Sequence, residues 1–325
     1  MLDVRALVTA EFTDDGVRRL RALGYEVVRA GWGVARQQLD RDALVAAAQG
    51  AELLLTEIEA VDADVLAALP ALRVVGTARG GPVNVDHEAC AARGIPVFWT
   101  PARNADSVAD FVLGVVLSLT RGIAEGERHL RGVGWLVGDE LPYLHFRGPE
   151  MAGLVLGVVG HGAIGRRVAQ RAREGFGMQV LVHDPLQERS VSLAELAERA
   201  DVLTLHCPRT EQTKGLVDAA LLARMRPSSY VVNTAGGGIV DEPALIAALR
   251  AGRLAGAALD VFGTEPLPRD SALLTTRGLL LTPHLAGAAD DVVRHHTEQL
   301  CDAVELWHAQ QSSNSADQSS ESATS

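Results

Sequence analysis

The stretch that decides the fold is Gly153-Leu-Val-Leu-Gly-Val-Val-Gly160-His-Gly162-Ala-Ile-Gly165. An apolar run of strand type meets three glycines spaced GxGxxG, and helix-forming residues follow at 166–173. In such a turn Gly160 permits the bend and Gly162 lets the backbone approach a pyrophosphate at the helix N-terminus. Gly165 lets the helix pack close to the strand. The stretch therefore predicts a dinucleotide-binding strand–turn–helix unit.

A second apolar run completes this unit and ends at Asp184, 184 − 165 = 19 residues beyond the last glycine. At that spacing a carboxylate can accept both ribose hydroxyls and repel a 2′-phosphate. The sequence therefore favours NAD over NADP.

The composition excludes several classes of function. With 325 residues the chain is long enough for two domains. Its net charge of −11 argues against a nucleic-acid or anionic-membrane partner, because both need clustered positive charge. The N-terminus lacks the regions of a signal peptide, and no apolar run is long enough to cross a bilayer. Cys90, Cys207 and Cys301 lack metal-ligand spacing, so we expect no metal and a cytoplasmic location.

Short strand-like runs alternate with helical patterns along the whole chain, which predicts an α/β protein with parallel sheets. The predicted strands outside the glycine-rich unit are 5–9, 26–29, 53–56, 74–76, 96–99, 201–206, 230–233, 256–261 and 279–282. One long apolar helix is expected from Asn104 to about Arg131, as a core or interface helix. The polar residues 311–325 are expected to be disordered, because they cannot bury enough apolar surface to offset their ordering entropy.

Several motifs extend the interpretation beyond the glycine-rich unit. They are ARGGPVNVDHEACAARGIPV at 78–97, TPARNADSVADFVLG at 100–114, GVVGHGAIGRRVA at 157–169, LHCPRTEQTKGLVD at 205–218, VVNTAGGGIVDEPAL at 231–245, GAALDVFGTEPLP at 256–268 and LTPHLAGA at 281–288. Together they make the chain resemble the NAD-dependent D-2-hydroxyacid dehydrogenases over roughly residues 50–308. That group includes phosphoglycerate, glycerate, formate and phosphite dehydrogenases.

The resemblance implies two Rossmann-like domains, with the coenzyme domain inserted into a discontinuous substrate domain. The substrate domain is expected at 1–101 and 286–310 and the NAD-binding domain at 102–285, with the active site in the cleft between them. The resemblance also implies a homodimer, held largely through the helix 104–131 and the segment after it.

Two catalytic side chains carry over from the family to this chain. The resemblance implies that His284, in the TPH motif, gives a proton to the carbonyl oxygen during reduction and removes it during oxidation. Glu265, in DVFGTEP, would hold the imidazole in one tautomer. Hydride would pass to or from nicotinamide C4.

A third side chain, the arginine that clamps the substrate carboxylate, is missing. Where the family pattern reads NTARGG, this chain has Gly236 in place of the arginine. A glycine provides no charge and no planar pair of donors. Three explanations stay open: another arginine does the work, with Arg79 and Arg103 as candidates; the substrate is not an ordinary 2-keto acid; or the protein binds coenzyme but has lost efficient turnover.

The resemblance assigns the remaining site residues. Those expected to contact the small anionic substrate are Arg79, Gly80, Gly81, Arg103 and Gly236. Those expected to contact NAD are Gly160, Gly162, Ala163, Ile164, Gly165, Asp184, His206, Cys207, Pro208, Thr213, Thr234, Ala235, Asp260, His284 and Gly287. Among these, Asp260 would bond the nicotinamide carboxamide. The doublet His295-His296 lacks partners at metal-ligand spacing and is interpreted as a solvated helix face.

The function expected from these residues is NAD-dependent hydride transfer to or from a small hydroxy or keto acid, or a related anion such as a phosphonate. Two alternatives stay open because of Gly236. One is a catalytically impaired NAD-binding protein with a regulatory role, and the other is an NAD-assisted lyase or isomerase.

Overall fold

A computed structural model describes the backbone of residues 4–322. The chain divides into two compact units: the first runs up to Asn104 and resumes at Ala289, and the second spans Ala105–Ala288. These divisions lie three residues beyond the expected ones at 101 and 285. Local hydrogen bonds account for the shift, because Arg103 is bonded to His296 within the first unit and Leu285 and Ala286 to Asp260 within the second.

The first unit is built on a parallel sheet of five strands in the described part of the chain, in the order β2-β1-β3-β4-β5. The strands are β1 Val4–Val8, β2 Tyr25–Arg29, β3 Ala51–Thr56, β4 Val74–Thr77 and β5 Val97–Trp99. The helices of this unit are α1 Asp14–Ala22, α2 Trp32–Ala35, α3 Arg41–Ala47, α4 Ala63–Ala68, α5 His87–Ala92 and, at the end of the chain, α13 Asp290–Ser322. β3 and β4 are buried almost throughout, as expected for central strands covered on both faces.

The second unit has a parallel sheet of six strands in the described chain, in the order β11-β10-β9-β8-β6-β7. The strands are β6 Val155–Val159, β7 Gln179–His183, β8 Val202–Leu205, β9 Tyr230–Asn233, β10 Gly256–Leu259 and β11 Leu279–Leu281. The helices are α6 Ala105–Thr120, α7 Ile123–Gly132, α8 Pro142–His145, α9 Ala163–Phe176, α10 Leu193–Arg199, α11 Ala219–Leu222 and α12 Glu242–Arg250, with a 3₁₀ helix at Ala272–Thr275. The prediction of two parallel-sheet α/β domains is confirmed.

Helix starts follow from the sequence in both units. Asp40, Asp62, Asp86 and Asp241 each accept a hydrogen bond from an N–H in the first turn of the helix that they precede. By contrast α9 is preceded by Gly162, which has no side chain to accept such a bond. The first amides of α9 are therefore left for another partner.

The long helix expected at 104–131 is two helices. Gly122 adopts a left-handed conformation (φ 63°) between α6 and α7, and the two helices are bent by 59°. The apolar spacing is continuous across this point, so periodicity alone missed the break. In the described chain no single helix is long and apolar enough to span a membrane, although α6 and α7 taken together reach that length and composition. Most of the apolar side chains of α6 are buried in the core of the second unit.

The last helix differs from the expectation for the end of the chain. α13 continues to Ser322, where disorder is expected from 311, and residues 323–325 lie outside the described part. Leu300, Cys301 and Val304 anchor the first half of α13 in the core of the first unit. A helix already nucleated by this packing can continue beyond it, although the Ser-rich residues 311–322 are weaker helix formers than Ala or Gln.

Candidate functional site

Residues predicted to form the site in the second unit lie at or after the carboxyl ends of its parallel strands. Gly160 follows β6, Asp184 follows β7 and His206 follows β8. The NTAGGG turn follows β9, and the sequence order then places Glu265 after β10 and His284 after β11. In open α/β sheets this is the edge at which ligands bind.

The glycine-rich turn is held by close backbone approaches. A Cβ on Gly160, which has φ 87°, would lie 2.7 Å from the Cys207 nitrogen, and a Cβ on Gly165 would lie 2.0 Å from the Gly160 carbonyl oxygen. Gly162 differs, because a Cβ there would meet nothing within 4 Å. The turn therefore packs tightly on its inner side and leaves an open face at the start of α9. That face fits a group bearing negative oxygens.

Asp184 is fixed beside this turn. Its carboxylate accepts hydrogen bonds from the backbone N–H of His161 (2.7 Å) and of Leu186 (2.9 Å). These two donors hold the pKa of Asp184 below its ordinary value, so the group is ionised. A fixed negative charge thus stands at the end of β7, where the sequence expects the ribose of the coenzyme.

Two buried polar atoms at the ends of β8 and β9 have no hydrogen-bond partner among the described residues: His206 Nδ1 and Thr234 Oγ1. The other ring nitrogen of His206 lies 3.0 Å from Thr204 Oγ1. Burial lowers the pKa of His206 to about 3, so its ring is neutral. Unpartnered buried polar atoms are uncommon in folded proteins. Here they fit a polar ligand that lies across the ends of the two strands.

The loop after His206 is stabilised from within. The Thr213 hydroxyl donates to the Pro208 carbonyl oxygen (2.7 Å) and accepts from the Thr210 N–H (2.8 Å). Thr213 therefore already has partners as donor and acceptor. Cys207 is a free, half-buried thiol packed beside the hydrophobic core, and Pro208 is exposed.

The turn after β9 is held by Asn233. Its side-chain oxygen accepts from the Ala235 N–H (3.0 Å), and its amide group donates to the Gly236 carbonyl oxygen (3.0 Å). A Cβ on Gly237 would lie 1.7 Å from the Phe262 carbonyl oxygen, whereas a Cβ on Gly236 would meet no backbone within 4 Å. The backbone thus requires glycine at 237 but not at 236.

Glu265 and His284 are paired. His284 Nδ1 lies 2.9 Å from Glu265 Oε2, while Glu265 Oε1 accepts from the Phe262 N–H (2.9 Å). Burial alone would raise the pKa of Glu265, but these two hydrogen bonds outweigh it and hold that pKa below its usual value. Nδ1 therefore bears the proton donated to an ionised carboxylate. His284 Nε2 has no partner within the described chain, and the side chain is 66% exposed.

His284 owes its position to Asp260. The buried Asp260 carboxylate accepts from the Thr282 hydroxyl (2.6 Å) and from the N–H groups of Leu285 (2.7 Å) and Ala286 (2.8 Å). The Asp260 carbonyl oxygen accepts from the His284 N–H (2.9 Å). These bonds hold His284 in a left-handed conformation, φ 57°, which is uncommon for a residue other than glycine. Sequence reasoning assigned Asp260 to the carboxamide and missed this positioning contact. Half-buried Gly287 follows Ala286 in the same loop.

In the first unit, Arg79, Gly80 and Gly81 form a loop after β4. The Arg79 carbonyl oxygen accepts from the N–H and hydroxyl of Thr100 (2.9 and 3.0 Å). A Cβ on either glycine would meet nothing within 4 Å, so this loop exposes its backbone. Its N–H groups can therefore face an anion, as the resemblance expects.

Arg103 is bonded within the first unit. Its guanidinium lies 3.3 Å from Glu57 Oε1 and donates to His296 Nδ1 (2.9 Å), while His296 Nε2 lies 2.6 Å from the Glu11 carbonyl oxygen. Burial lowers the pKa of His296 to about 4. The interpretation of the histidine doublet as a solvated face is thus wrong for His296, which is 1% exposed. α13 packs this residue against the loop after β1, a contact that local sequence does not reveal.

One residue that sequence reasoning overlooked lies beside Gly236. The Arg209 side chain fills the space that a side chain at 236 would enter, with its Cβ 3.2 Å from an ideal Cβ there. The sequence did contain a signal, because Arg209 stands directly after the His-Cys-Pro run at the end of β8.

Comparison with known families assigns both parts of the chain. The catalytic domain of the D-isomer-specific 2-hydroxyacid dehydrogenases matches residues 6–124. The NAD-binding domain of the same family matches residues 113–286. The second match includes all six strands of the second unit and the Glu265–His284 pair.

Individual relatives agree with this assignment. The (S)-sulfolactate dehydrogenase of Chromohalobacter salexigens is 41% identical over 264 residues, which cover 78% of this chain and 83% of that protein. The glycerate dehydrogenase of Methylorubrum extorquens is 36% identical over 265 residues, covering 80% of this chain and 84% of that protein. The crystal structure of the TT0316 protein from Thermus thermophilus superposes with a TM-score of 0.78 at 35% identity, covering 91% of this chain and 94% of that one. This protein therefore belongs to the D-isomer-specific 2-hydroxyacid dehydrogenase family and is an NAD-dependent oxidoreductase of that type.

Proposed function

We propose that the protein transfers a hydride between NAD(H) and a small hydroxy or keto acid, or a related anion such as a phosphonate. The observation that carries this proposal is the Glu265–His284 pair, with its 2.9 Å hydrogen bond at Nδ1 and its exposed, unpartnered Nε2 in the described chain. One nitrogen is held and the other is free, which is the arrangement that a general acid–base needs. The sulfolactate and glycerate dehydrogenases among its relatives are also named for small hydroxy acids.

In this proposal His284 gives a proton to the substrate carbonyl oxygen in reduction and takes it back in oxidation. Glu265 stabilises the protonated ring and keeps Nε2 directed outward, because its carboxylate binds Nδ1. Asp260 keeps the backbone of His284 in place. NAD supplies or accepts the hydride at nicotinamide C4 when it is bound.

The coenzyme would lie along the carboxyl ends of the sheet in the second unit. The open face of Gly162 and the uncapped amides of α9 suit the pyrophosphate. Asp184 suits the ribose and disfavours a 2′-phosphate. The unpartnered His206 Nδ1 and Thr234 Oγ1 lie at the next two strands and provide further polar contacts.

An absorbance screen at the NADH band tests the proposal. The panel contains 2-keto acids, 2-keto phosphonates, sulfonate-bearing keto acids and aldehydes, each with NADH and with NADPH. We expect consumption of NADH with at least one anionic member. Tight NADH binding with no turnover across the panel would instead favour the alternative, an NAD-binding homologue in which catalysis is lost or altered. Gly236, which provides no clamp, is the observation that keeps this alternative.

A homodimer is part of the proposal. Large apolar side chains are exposed along α7 and the segment that follows it, and the most exposed are Val133, Trp135 and Tyr143 at 74%, 68% and 71%. A group of large exposed apolar side chains on one segment supports an interaction site there. Light scattering after size exclusion should give twice the chain mass, and Trp135→Glu should shift it toward one chain mass. A cytoplasmic location stays a prediction.

A further inference from the structure

Gly236 and Arg209 are direct neighbours in the second unit. An ideal Cβ on Gly236 would lie 3.2 Å from Arg209 Cβ and 4.0 Å from Arg209 Cδ, and its other neighbour is Ile239 Cδ1 at 3.5 Å. The aliphatic part of the Arg209 side chain thus lies beside the position that the first atoms of a side chain at residue 236 would occupy. An arginine side chain is longer than the distance between these two Cβ positions. The guanidinium of Arg209 can therefore reach the region that an arginine at 236 would reach.

Arg209 stands on a fixed base. The turn from Pro208 to Thr213 is closed by the two hydrogen bonds of the Thr213 hydroxyl, and only His206 and Cys207 separate it from the buried strand β8. A short loop pinned in this way restricts where the arginine stem starts, which reduces the entropy lost when the side chain binds a ligand.

The guanidinium of Arg209 has no interaction partner in the part of the chain that the structure describes. The residue is exposed, and no residue whose side chain the structure describes gives it a hydrogen bond, an ion pair or an aromatic ring. Arg103 differs, since Glu57 and His296 each engage one nitrogen of its guanidinium group and its side chain is only 19% exposed. Of the two, Arg209 is the exposed one, and no described residue engages its donors.

We propose that Arg209 binds the anionic group of the substrate, a carboxylate, sulfonate or phosphonate, in place of a side chain at 236. This inference rests on the proposed function, because it assigns the substrate-recognition residue of the same site. A guanidinium offers two parallel N–H donors to any of these groups. Because Gly236 has no side chain, nothing at that position competes with Arg209 for the space.

The test compares Arg209→Leu with Arg253→Leu, a matched control. Arg253 is also exposed, and it precedes β10 at the amino end of the sheet, away from the predicted site. With the anionic substrate found in the screen, we expect Arg209→Leu to reduce kcat/KM by about 10- to 10²-fold, as loss of a hydrogen bond to a charged group does. Activity on an uncharged aldehyde and the Kd of NADH should stay within about twofold, and Arg253→Leu should match the wild type.

The double variant Arg209→Leu/Gly236→Arg moves the guanidinium from residue 209 to residue 236. We expect it to recover part of the lost kcat/KM with the carboxylate, because the two side chains start side by side. The panel of carboxylate, sulfonate and phosphonate substrates then shows which anion depends most on position 209.

Several results would overturn the proposal. An unchanged kcat/KM in Arg209→Leu would do so, as would an equal loss on charged and uncharged substrates together with weaker NADH binding, which would assign Arg209 to the coenzyme. A reduced kcat/KM in Arg79→Ala with an unchanged kcat/KM in Arg209→Leu would assign the binding of the substrate anion to Arg79.

Failure of the proposed function is distinguishable from failure of this inference. If the wild type turns over nothing in the panel, oxalate is titrated calorimetrically into the protein with NAD⁺ present. Oxalate binding that is lost in Arg209→Leu and kept in Arg253→Leu supports the anion site without the reaction. Equal binding in both variants, or none to the wild type, overturns it.

Discussion

The carboxyl edge of the sheet in the second unit has two halves that are built differently. At β6 and β7 the backbone decides the geometry, since Gly160 and Gly165 lie within contact of other main-chain atoms and Asp184 is held by two N–H groups. From β9 to β11 one close backbone approach remains, at Gly237, but side chains hold most of the geometry, through Asn233, Asp260 and Glu265. In the first half, a side chain at Gly160 or Gly165 would collide with the backbone. The second can lose or move a side chain, as at Gly236, while its backbone stays in place.

If the two halves act independently, a substitution in the second half should reduce turnover without weakening the binding of NADH. His284→Gln should reduce kcat by about 10²-fold or more, the usual contribution of a positioned proton donor. Its Kd for NADH, measured by fluorescence, should stay close to that of the wild type. A parallel rise in the NADH Kd would mean that the two halves are one unit.

The glycine turn offers a matched pair of substitutions. Gly165→Ala places a Cβ 2.0 Å from the Gly160 carbonyl oxygen, and we expect it to cost about 1–3 kcal/mol of unfolding free energy. Gly162→Ala places its Cβ in open space and should leave stability within about 0.5 kcal/mol, yet weaken NADH binding. Urea denaturation and NADH titration check the pair, and equal stability of the two variants would contradict the steric account.

His206, at the end of β8 between the halves, should make stability depend on pH. Its pKa is lowered by burial to about 3 in the folded protein and returns to its ordinary value on unfolding. The contribution of His206 to the free energy of unfolding is therefore fully present above pH 6.5, and it is lost as the pH falls toward 3. Between pH 7 and 5 the loss should be about 2 kcal/mol.

His206→Asn is the control for this effect. In urea denaturation at several pH values, this variant should lack the part of the pH dependence of the unfolding free energy that His206 causes. His296, whose pKa is also lowered, contributes equally to both proteins. Identical slopes in the wild type and the variant would show that the ring is hydrated.

The smallest effect concerns coenzyme choice. We expect NADH to bind at least tenfold more tightly than NADPH, a difference of about 1.4 kcal/mol, because the ionised Asp184 would face the 2′-phosphate. Asp184→Ser should narrow the ratio and leave kcat with NADH nearly unchanged. Calorimetry that gives equal affinities for the wild type would refute the role of Asp184.

The sequence predicted the first half of this edge better than the second. The eleven strands of the described residues, the bend at Gly160 and the close packing at Gly165 follow from local patterns, because alternation and backbone sterics act over a few residues. Family motifs also indicated Glu265 and His284, which the structure brings to 2.9 Å.

Contacts between distant segments could not be predicted in this way. The bonds from Asp260 to the His284 loop, the burial of His296 against Glu11 and the approach of Arg209 to Gly236 join residues far apart in sequence. Each depends on which strands are neighbours and how a helix packs. No local pattern in a single sequence contains that information.

The discontinuous first unit has a consequence for how the protein is made. Leu300, Cys301 and Val304 pack in one core with Ala6 and Val8, although almost the whole chain separates them in sequence. The first unit therefore lacks part of its core until α13 has been synthesised. The segment before Asn104, although made earlier, should reach its final stability only after α13 packs against it.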